Sequence, residues 1–331
     1  MRLTTPATGL VGLSALIKMS PGVISSAKMK SHWVDATMLR DFASEGTSAH
    51  RLCTIAEGWV ERFGDDVLLS YRSVAARDQL LLELNLWGTA IGFRFSRVFG
   101  RFLPKQNEER EKPRLMFGNA AQSLRTIVAE RRLQFGVDFG AGYSVGLFID
   151  QRENRSYVRQ IAPRRLLNCF AYTCSFSVAA AAVGAKTVSV DLSKNSLNRG
   201  RENFALNSLR TDDHQFIADD VLAVLPRLAR RGEKFDAIIL DPPTFSRNRR
   251  GKAFHVEQDF ERLLTLAIAL ATRDCHILLS TNCSSLGQHA LEVMGRYCMK
   301  VARRAGRFHR SPPLPDFPGG DGATTTWLCL R

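Results

Sequence analysis

Acidic residues stand at the ends of three successive candidate strands in the second half of the chain. Asp191 closes one strand, Asp219 and Asp220 follow the next, and Asp241 follows a third. If these strands are parallel, their carboxyl ends meet at one edge of the sheet, where open α/β sheets bind ligands. Carboxylates there can accept hydrogen bonds from ribose hydroxyls and from an adenine amine. One such acid alone is equally explained as a helix N-cap, but three in register indicate a pocket for an adenosine whose tail is not a phosphate.

The other strand ends carry different chemistry. The strand before Asp191 runs into a small-residue turn at 168–175, which leaves backbone N–H groups facing a ligand but lacks the G-x-G-x-x-G pattern of dinucleotide sites. Asp241 is followed by Pro242 and Pro243, which fix the backbone, and then by an aromatic residue that can stack on a flat base. A further strand ends at residue 280 and leads to Cys283, a candidate nucleophile. The alternative for this thiol is a small buried hydrophobic residue.

Segments that alternate between β-branched strands and helices rich in alanine and leucine position these residues. The candidate strands are 165–170, 187–191, 215–218, 235–240 and 276–280, and the helices between them are 175–183, 196–207, 221–231 and 258–272. This alternation implies parallel strands joined by right-handed crossovers. We therefore predict an α/β fold with a Rossmann-like, doubly wound, mostly parallel sheet, followed by an alternating strand at 324–330.

A small α+β domain is expected before this sheet. Residues 59–63 and 67–71 flank Gly64-Asp65-Asp66, a hairpin turn signal, and a helical segment at 74–86 follows. Residues 105–114 are charged and have no apolar face, which is typical of a linker. The expected organisation is a poorly ordered basic arm at 1–50, an α+β domain at 51–110 and the sheet domain at 111–331.

The chain is strongly basic. Its 331 residues carry 46 lysines and arginines against 32 acids, a formal net charge of +14. This balance favours a polyanionic partner, nucleic acid before an anionic membrane, over a plain basic enzyme. No apolar run reaches the roughly 18 residues of a membrane span, so no membrane partner is expected.

The cysteines and the amino terminus bear on location. The 7 cysteines include no Cys-x-x-Cys pair, so neither a disulfide framework nor a metal site is expected. A reducing, cytoplasmic compartment fits this pattern. The stretch 1–34 is basic and contains no acid, which leaves organellar import or a start codon placed too early as alternatives.

Six stretches of sequence together carry a resemblance to a known family. They are FIDQREN at 148–154, NCFAYTCSFS at 168–177, VSVDLS at 188–193, ADDV at 218–221, LDPPTFS at 240–246 and STNCSS at 280–285. In this order they resemble class I S-adenosylmethionine-dependent methyltransferases, and more narrowly the bacterial 23S rRNA methyltransferases that act on cytosine C5 or guanine N2. The resemblance implies S-adenosyl-L-methionine as cofactor and RNA, large-subunit rRNA in particular, as partner.

The resemblance also implies roles for individual residues. The implied cofactor-binding residues are Gln151, Arg152, Asn168, Phe170, Tyr172, Thr173, Ser175, Asp191, Asp219 and Asp220. The predicted substrate-binding residues are Pro242, Pro243, Thr244, Phe245, Arg247, Arg249 and Arg250, where the arginines would hold phosphates while a base is flipped towards Phe245. Cys283 and Asp241 are the predicted catalytic residues. Cys174 stands where relatives have glycine, so a narrower cofactor turn is expected.

Two target atoms compete. Cytosine C5 becomes nucleophilic only after a thiolate adds to C6, a role that Cys283 would fill. An exocyclic amine such as guanine N2 needs no thiolate, only acceptors such as Asp241 and a proline carbonyl, and the DPPTF run matches the guanine relatives better. We favour cytosine C5. A non-catalytic RNA-binding protein, a small-molecule methyltransferase and a dinucleotide oxidoreductase are the other classes; the net charge disfavours the second and the missing glycine pattern the third.

Overall fold

The computed structural model describes residues 31–104, 109–248, 251 and 253–331. The described chain divides into two compact units, the first running to Ile149 with Pro315–Gly319 added, the second formed by Asp150–Leu314 and Gly320–Arg331. The division falls after Ile149, whereas the sequence placed it at residue 110. Residues 31–50, expected to be part of a poorly ordered arm, contribute two regular elements and the start of a third to the first unit. The rest of the predicted arm lies outside the described residues.

The first unit is an α+β structure. Its elements are β1 (His32–Trp33), α1 (Ala36–Ser44), β2 (Ala49–Ile55), β3 (Gly58–Phe63), β4 (Asp66–Tyr71), α2 (Val74–Ile91), β5 (Arg97–Phe102), β6 (Arg114–Phe117), β7 (Arg125–Glu130) and β8 (Leu133–Asp138). Within the described residues, β1 to β6 form one sheet in sequence order, while β7 and β8 pair as a separate hairpin. The β4–β5 pair is parallel and the other pairs are antiparallel, because α2 provides the crossover that a parallel pair requires.

The predicted hairpin is confirmed. Phe63 pairs with Asp66 across β3 and β4, so Gly64 and Asp65 form the turn, and Gly64 takes a φ of +68° that favours glycine. Helix α2 then begins after Ser73, whose hydroxyl accepts a hydrogen bond from the Ala76 N–H at 3.2 Å. One face of α2 packs its leucines onto the apolar face of the sheet.

A buried ion pair fixes β4 against β5. Arg97 donates from Nε to Asp66 Oδ1 at 2.7 Å and from Nη2 to Oδ2 at 2.6 Å. Both side chains are almost fully buried, and Arg97 Nη1 also donates to the Ser123 carbonyl at 2.6 Å. The two-pronged geometry satisfies both carboxylate oxygens, which offsets the cost of removing the two charges from water.

Removing one partner of this pair should be strongly destabilising. Asp66→Ala leaves the Arg97 charge buried without its counterion, so the free energy of unfolding in urea should fall by about 3–5 kcal/mol. Glu111→Ala, which removes the exposed partner of Arg114, is the matched control and should barely change the denaturation midpoint. Equal effects of the two substitutions would contradict a structural role for the buried pair.

The second unit contains the predicted sheet. Its elements are α3 (Arg152–Ile161), β9 (Arg165–Cys169), α4 (Ser175–Ala181), β10 (Lys186–Asp191), α5 (Lys194–Leu206), β11 (Gln215–Ala218), α6 (Val221–Arg230), β12 (Phe235–Leu240), β13 (Phe245–Arg247), β14 (Ala253–His255), α7 (Val256–Leu270), β15 (Ala271–Thr281), α8 (Gln288–Val301), β16 (Gly306–His309) and β17 (Thr324–Leu330), with a 3-10 turn at Ile149–Gln151 leading into α3.

The sheet of the second unit has the order β11-β10-β9-β12-β15-β17-β16 among the described residues. The strands from β11 to β15 pair in parallel, and β17 runs antiparallel to β15 and β16. The chain moves from β9 outwards through β10 to β11 and then returns to β12 on the other side of β9. Such a reversal of strand order opens a ligand crevice at the carboxyl ends of the two central strands.

Both faces of this sheet are covered, which explains its apolar strands. Leu167, Ile238 and Ile277 point to the face covered by α6, α7 and α8. Leu166, Ile239 and Leu278 point to the opposite face, where α3 and α4 pack. The expected α/β fold class with a mostly parallel sheet is confirmed. No helix in the described part of the chain is long and apolar enough to cross a membrane.

Candidate functional site

The strand register brings the predicted site residues to one edge of the sheet. Cys169, the last residue of β9, pairs with Val190 of β10 and with Leu240 of β12. Leu240 in turn pairs with Leu279 of β15. The residues that follow these positions therefore stand side by side at the carboxyl ends, as the sequence predicted.

The turn after β9 is held in an unusual backbone conformation. Phe170, Tyr172 and Cys174 have φ values of +58°, +46° and +60°, in the left-handed region that residues with a side chain rarely adopt. The turn is tied to its neighbour, since the Ala171 N–H donates to the Val190 carbonyl at 2.9 Å and the Tyr172 N–H to Asp191 Oδ2 at 2.8 Å. Strained residues of this kind persist where the surroundings fix them, most often at ligand sites.

Cys174 fits because its neighbour in α5 is glycine. The thiol is fully buried, and a Cβ built at Gly200 would lie 2.4 Å from Cys174 Sγ. The Cys174 side chain therefore packs against α5, and its sulfur fills space that the absence of a side chain at Gly200 leaves open. Burial raises the pKa of this thiol to about 12, so it remains protonated near neutral pH.

Asp191 links two turns at the end of β10. Its Oδ2 accepts from the Tyr172 N–H and its Oδ1 from the Ser193 N–H, each at 2.8 Å. Burial raises the pKa of this carboxyl, and these two hydrogen bonds oppose the shift. Each carboxylate oxygen has a second lone pair, so the half-buried group can still accept from the hydroxyls of a ribose.

The two acids after β11 line an open cleft of about 780 Å³. Asp220 is the N-cap of α6: its Oδ1 accepts from the Leu222 N–H at 2.8 Å and its Oδ2 from Asn248 Nδ2 at 2.6 Å. Asp219 forms an ion pair with Arg227. The helix-cap explanation weighed for these acids therefore applies to Asp220, which caps α6 and lines the cleft at once. Its predicted adenine contact stays a prediction.

Asp241, after β12, is held by a buried polar network. Ser280 Oγ donates to its Oδ1 at 2.6 Å, and Gln151 Nε2 donates to the same Ser280 hydroxyl at 2.9 Å and lies 3.5 Å from Asp241 Oδ2. Asn154 donates to Gln151 Oε1 at 2.8 Å and accepts from the Trp327 indole at 2.9 Å. Burial raises the pKa of Asp241 to about 6, while the Ser280 hydrogen bond lowers it.

Other predicted cofactor residues lie further inside this unit. Gln151 and Arg152 are 2% and 1% exposed. Asn168 is buried in β9 and donates to Ser177 Oγ at 3.0 Å, and the carbonyl of buried Thr173 accepts from Asn203 at 2.9 Å. The Ser175 hydroxyl lies 3.4 Å from Arg155 Nη1. Contact of these residues with a cofactor stays a prediction.

The segment after Asp241 forms a projecting hairpin. Pro242 is buried, whereas Pro243 and Thr244 are exposed. Phe245 in β13 is 50% exposed and contacts His255 of β14 with ring centroids 4.9 Å apart. Arg247 is exposed in the same strand. The predicted phosphate contacts Arg249 and Arg250 lie outside the described residues.

Cys283 lies beyond the end of β15, in surroundings that are partly apolar and partly polar. Its side chain packs among apolar residues and is only 8% exposed, and its role as a nucleophile stays a prediction. Its sulfur nevertheless lies 3.1 Å from Ser285 Oγ and 3.6 Å from Glu257 Oε1. The Cys283 N–H donates to Thr281 Oγ1 at 3.0 Å, which fixes the turn.

Several residues of this edge were missed in the sequence. Ser280 and Asn154 hold the Asp241 network, Asn248 binds Asp220, and Glu257 contacts Cys283. The position of Ser280 at the end of the predicted strand 276–280 was a signal, because Asp241 directly follows the predicted strand 235–240. Among the described residues, no group of three or more histidine, cysteine or acidic side chains could hold a metal ion.

Comparison with known proteins defines the class. A model of the S-adenosylmethionine-dependent methyltransferase family matches residues 79–327, so the chain belongs to this family. The resemblance to class I S-adenosylmethionine-dependent methyltransferases is confirmed, and S-adenosylmethionine is confirmed as the cofactor of the family.

Curated relatives carry a more specific name. Ribosomal RNA large subunit methyltransferase I of Tolumonas auensis is 31% identical over 267 residues, which are 78% of this chain and 66% of the relative. Its namesake from Yersinia pseudotuberculosis is 40% identical over 161 residues, 48% of this chain and 40% of the relative. The chain spans less than two thirds of the length of these relatives.

Solved structures share the fold. SMU.776, a provisionally assigned methyltransferase complexed with SAH, has a TM-score of 0.74 at 23% identity and covers 89% of this chain and 78% of its own. A SAM-dependent methyltransferase from Agrobacterium tumefaciens has a TM-score of 0.64 at 20% identity over 86% of this chain and 90% of its own.

The donor groups at the sheet edge fit S-adenosylmethionine. Asp191 has acceptor capacity that a ribose could use, and the cleft along Asp219 and Asp220 is open enough for an adenine ring. The left-handed turn at Phe170–Cys174 lies at the same edge. When bound, the cofactor supplies an electrophilic methyl group, and these residues would hold its nucleoside.

Loss of the Asp191 carboxylate should weaken cofactor binding. Asp191→Ala removes the predicted acceptor for the ribose and the anchor of the Tyr172 turn, so calorimetric affinity for S-adenosylmethionine should drop by about 1–3 kcal/mol. Asp213→Ala removes an exposed carboxylate of the same unit and should leave the affinity unchanged. Unchanged binding by the Asp191 variant would refute the ribose assignment.

The raised pKa of Asp241 should link folding to pH. A raised pKa means that the folded chain holds this proton more tightly, so stability is lost as the pH rises from the ordinary aspartate value through about 6. Asp241→Asn avoids burying a charge and should raise the free energy of unfolding by about 3 kcal/mol near pH 8, a gain that shrinks towards zero near pH 4. Urea titrations at both pH values test this, and a gain that does not vary with pH contradicts it.

Proposed function

We propose that this protein is an S-adenosylmethionine-dependent methyltransferase of large-subunit rRNA, that its target atom is C5 of a cytosine, and that Cys283 is the nucleophile. The rRNA substrate is supported by the names of the curated relatives and by the net charge of +14, which favours a polyanion. A cytoplasmic location is part of this proposal.

The neighbouring positions of Asp241 and Cys283 carry the proposal. The parallel strands β12 and β15 pair Leu240 with Leu279, so Asp241 and Ser280, the next residue of each chain segment, lie side by side and are joined by a hydrogen bond of 2.6 Å. Cys283 follows Ser280 by three residues in a turn fixed by Thr281. A carboxyl group and a thiol thus stand at adjacent strand ends, where class I methyltransferases act on their substrates.

This pair can perform the chemistry that cytosine C5 requires. A thiolate that adds to C6 moves electron density to C5, which can then attack a methyl group. Protonation at N3 keeps the adduct neutral, and a carboxyl group with a pKa of about 6 can donate that proton and later recover it. Asp241 therefore suits the role of acid towards N3, while Cys283 suits that of nucleophile.

The hairpin of β13 and β14 supports an RNA substrate. Exposed Phe245 offers an aromatic face on which an extruded base can stack, and Arg247 offers a cation to a nearby phosphate. Arg249 and Arg250 remain proposed phosphate contacts from their place in the sequence.

Methylation of an exocyclic amine such as guanine N2 is the second candidate. The 8% exposure of Cys283 and its apolar surroundings favour it, because a thiol with a purely structural role would look the same. Asp241 and the carbonyls next to Pro242 and Pro243 would then orient the amine, and no covalent intermediate would form. A non-catalytic RNA-binding protein, the third candidate, would bind RNA and transfer no methyl group.

Replacement of Cys283 separates these candidates. Cys283→Ala should abolish methylation of large-subunit rRNA and leave cofactor and RNA affinities nearly unchanged, because the lost bond exists only along the reaction path. Wild-type enzyme should form an adduct with RNA containing 5-fluorocytosine that survives denaturing gels, since fluorine prevents the final removal of a proton from C5.

Cys298→Ala, which removes a different buried cysteine, is the matched control and should methylate normally. A Cys283→Ala enzyme that still methylates RNA would reject the cytosine mechanism in favour of the amine. Absence of methyl transfer by the wild type to any rRNA would instead favour the RNA-binding protein.

A further inference from the structure

Glu257 has no part in the steps proposed so far, yet it stands beside the proposed nucleophile. It is the second residue of α7 and its side chain is exposed. Its Oε1 lies 3.6 Å from Cys283 Sγ and accepts a hydrogen bond from Ser285 Oγ, which itself lies 3.1 Å from the same sulfur. A carboxylate, a hydroxyl and a thiol therefore meet beyond the end of β15.

The cytosine reaction needs a base that the other residues do not supply. After methyl transfer, C5 carries both the methyl group and its original hydrogen, and the product forms only when that hydrogen leaves as a proton. Asp241 is committed to another atom, because Ser280 and Gln151 hold its carboxyl at the end of β12 and its proposed proton exchange is with N3.

We infer that Glu257 is the catalytic base that removes the C5 proton, an inference that rests on the proposed cytosine function. The sulfur and the methyl donor cannot both approach through one face of a flat ring, so the methyl group joins C5 from the face opposite to the sulfur. The hydrogen on C5 then turns towards the face of the sulfur. C5 is bonded to C6, the atom that carries Cys283, so a carboxylate 3.6 Å from Sγ lies within reach of that hydrogen.

The proposed steps balance. The Cys283 thiol first loses its proton to solvent, the thiolate forms the S–C6 bond, and Asp241 protonates N3. The electron pair displaced to C5 forms the bond to the methyl group, while the bond between that group and the donor sulfur breaks and its electron pair leaves with S-adenosylhomocysteine. Glu257 next takes the C5 proton, the C–H electron pair restores the C5–C6 double bond, the S–C6 bond breaks, and N3 returns its proton to Asp241. Because Glu257 is exposed, it can pass the acquired proton to water.

A structural role for Glu257 would have other consequences. Acidic side chains in the first turn of a helix stabilise it through the helix dipole, and Asp259 lies in the same turn of α7. Loss of such a role would lower the melting temperature but would not stop the reaction after methyl transfer. A variant that has lost only a structural role would melt at a lower temperature, whereas a variant that has lost the catalytic base would stop after methyl transfer.

Glu257→Gln provides the test, with large-subunit rRNA transcribed in vitro and labelled S-adenosylmethionine. The variant should transfer a methyl group and then stall, so that labelled RNA stays covalently attached to protein in denaturing gels even with ordinary cytosine. Steady-state turnover should fall by roughly 100-fold or more, the range expected for loss of a general base. Glu257→Asp keeps the carboxylate and should recover part of the turnover.

Glu261→Gln is the matched control, because it removes the same charge one helical turn further along α7, and it should turn over like the wild type. The double variant Cys283→Ala/Glu257→Gln should form no adduct. Normal turnover by Glu257→Gln, or a loss of methyl transfer without any trapped adduct, would overturn the assignment, provided that its melting temperature matches the wild type. If the wild type forms no adduct with 5-fluorocytosine RNA, the proposed cytosine function is wrong, and the role inferred for Glu257 is then wrong as well.

Discussion

The site depends on the register in which β9 pairs with β10 on one side and β12 on the other. The register of parallel pairing decides which residues of neighbouring strands lie side by side at the carboxyl ends. A shift of the register by one residue would turn each side chain to the opposite face of the sheet. With Cys169 opposite both Val190 and Leu240, the turn at Phe170 faces Asp191 and Asp241. Apolar side chains alternate between two covered faces, so burial enforces this register along the strands. The packing of the core thus determines the geometry of the site.

At the end of β12, burial and hydrogen bonding have opposite effects on the pKa of Asp241. The surroundings of Asp241 favour its neutral form, whereas the Ser280 hydroxyl favours the charged one. The balance leaves the group able to exchange a proton near neutral pH. Gln151 in the 3-10 turn and Asn154 in α3 hold this arrangement, and Asn154 accepts a hydrogen bond from the Trp327 indole of β17. Satisfied polar networks in a low-dielectric interior are rigid, which keeps the carboxyl in one orientation.

The strands of the sheet could be predicted closely because buried strands carry an unmistakable apolar pattern. The candidates at 215–218 and 235–240 agree with β11 and β12, and β9 and β10 differ by one residue at an end. Helix α3 was missed because its buried positions include Arg152, Asn154 and Arg155. The buried positions of a helix are usually apolar, so this helix lacks the apolar face by which helices are predicted. The β13–β14 hairpin was missed because each strand has three residues, too few for a periodic signal. The acids at the strand ends were recognisable, but the partners that hold them depend on tertiary contacts between strands far apart in sequence.

The contact between Cys174 and Gly200 has a consequence for how this family can diverge. With cysteine at one position, any larger residue at the other would meet its sulfur or Cβ within 3 Å, so α5 would have to move away from the turn. A chain with glycine in place of Cys174 would be free of that restriction. The two positions therefore form a coupled pair in which the order of substitution matters: the turn must lose its side chain before the helix can gain one. An ancestor with glycine at both positions 174 and 200 could gain a side chain at either one. A chain that gained a side chain at position 200 while cysteine still stood at position 174 would contain a steric clash.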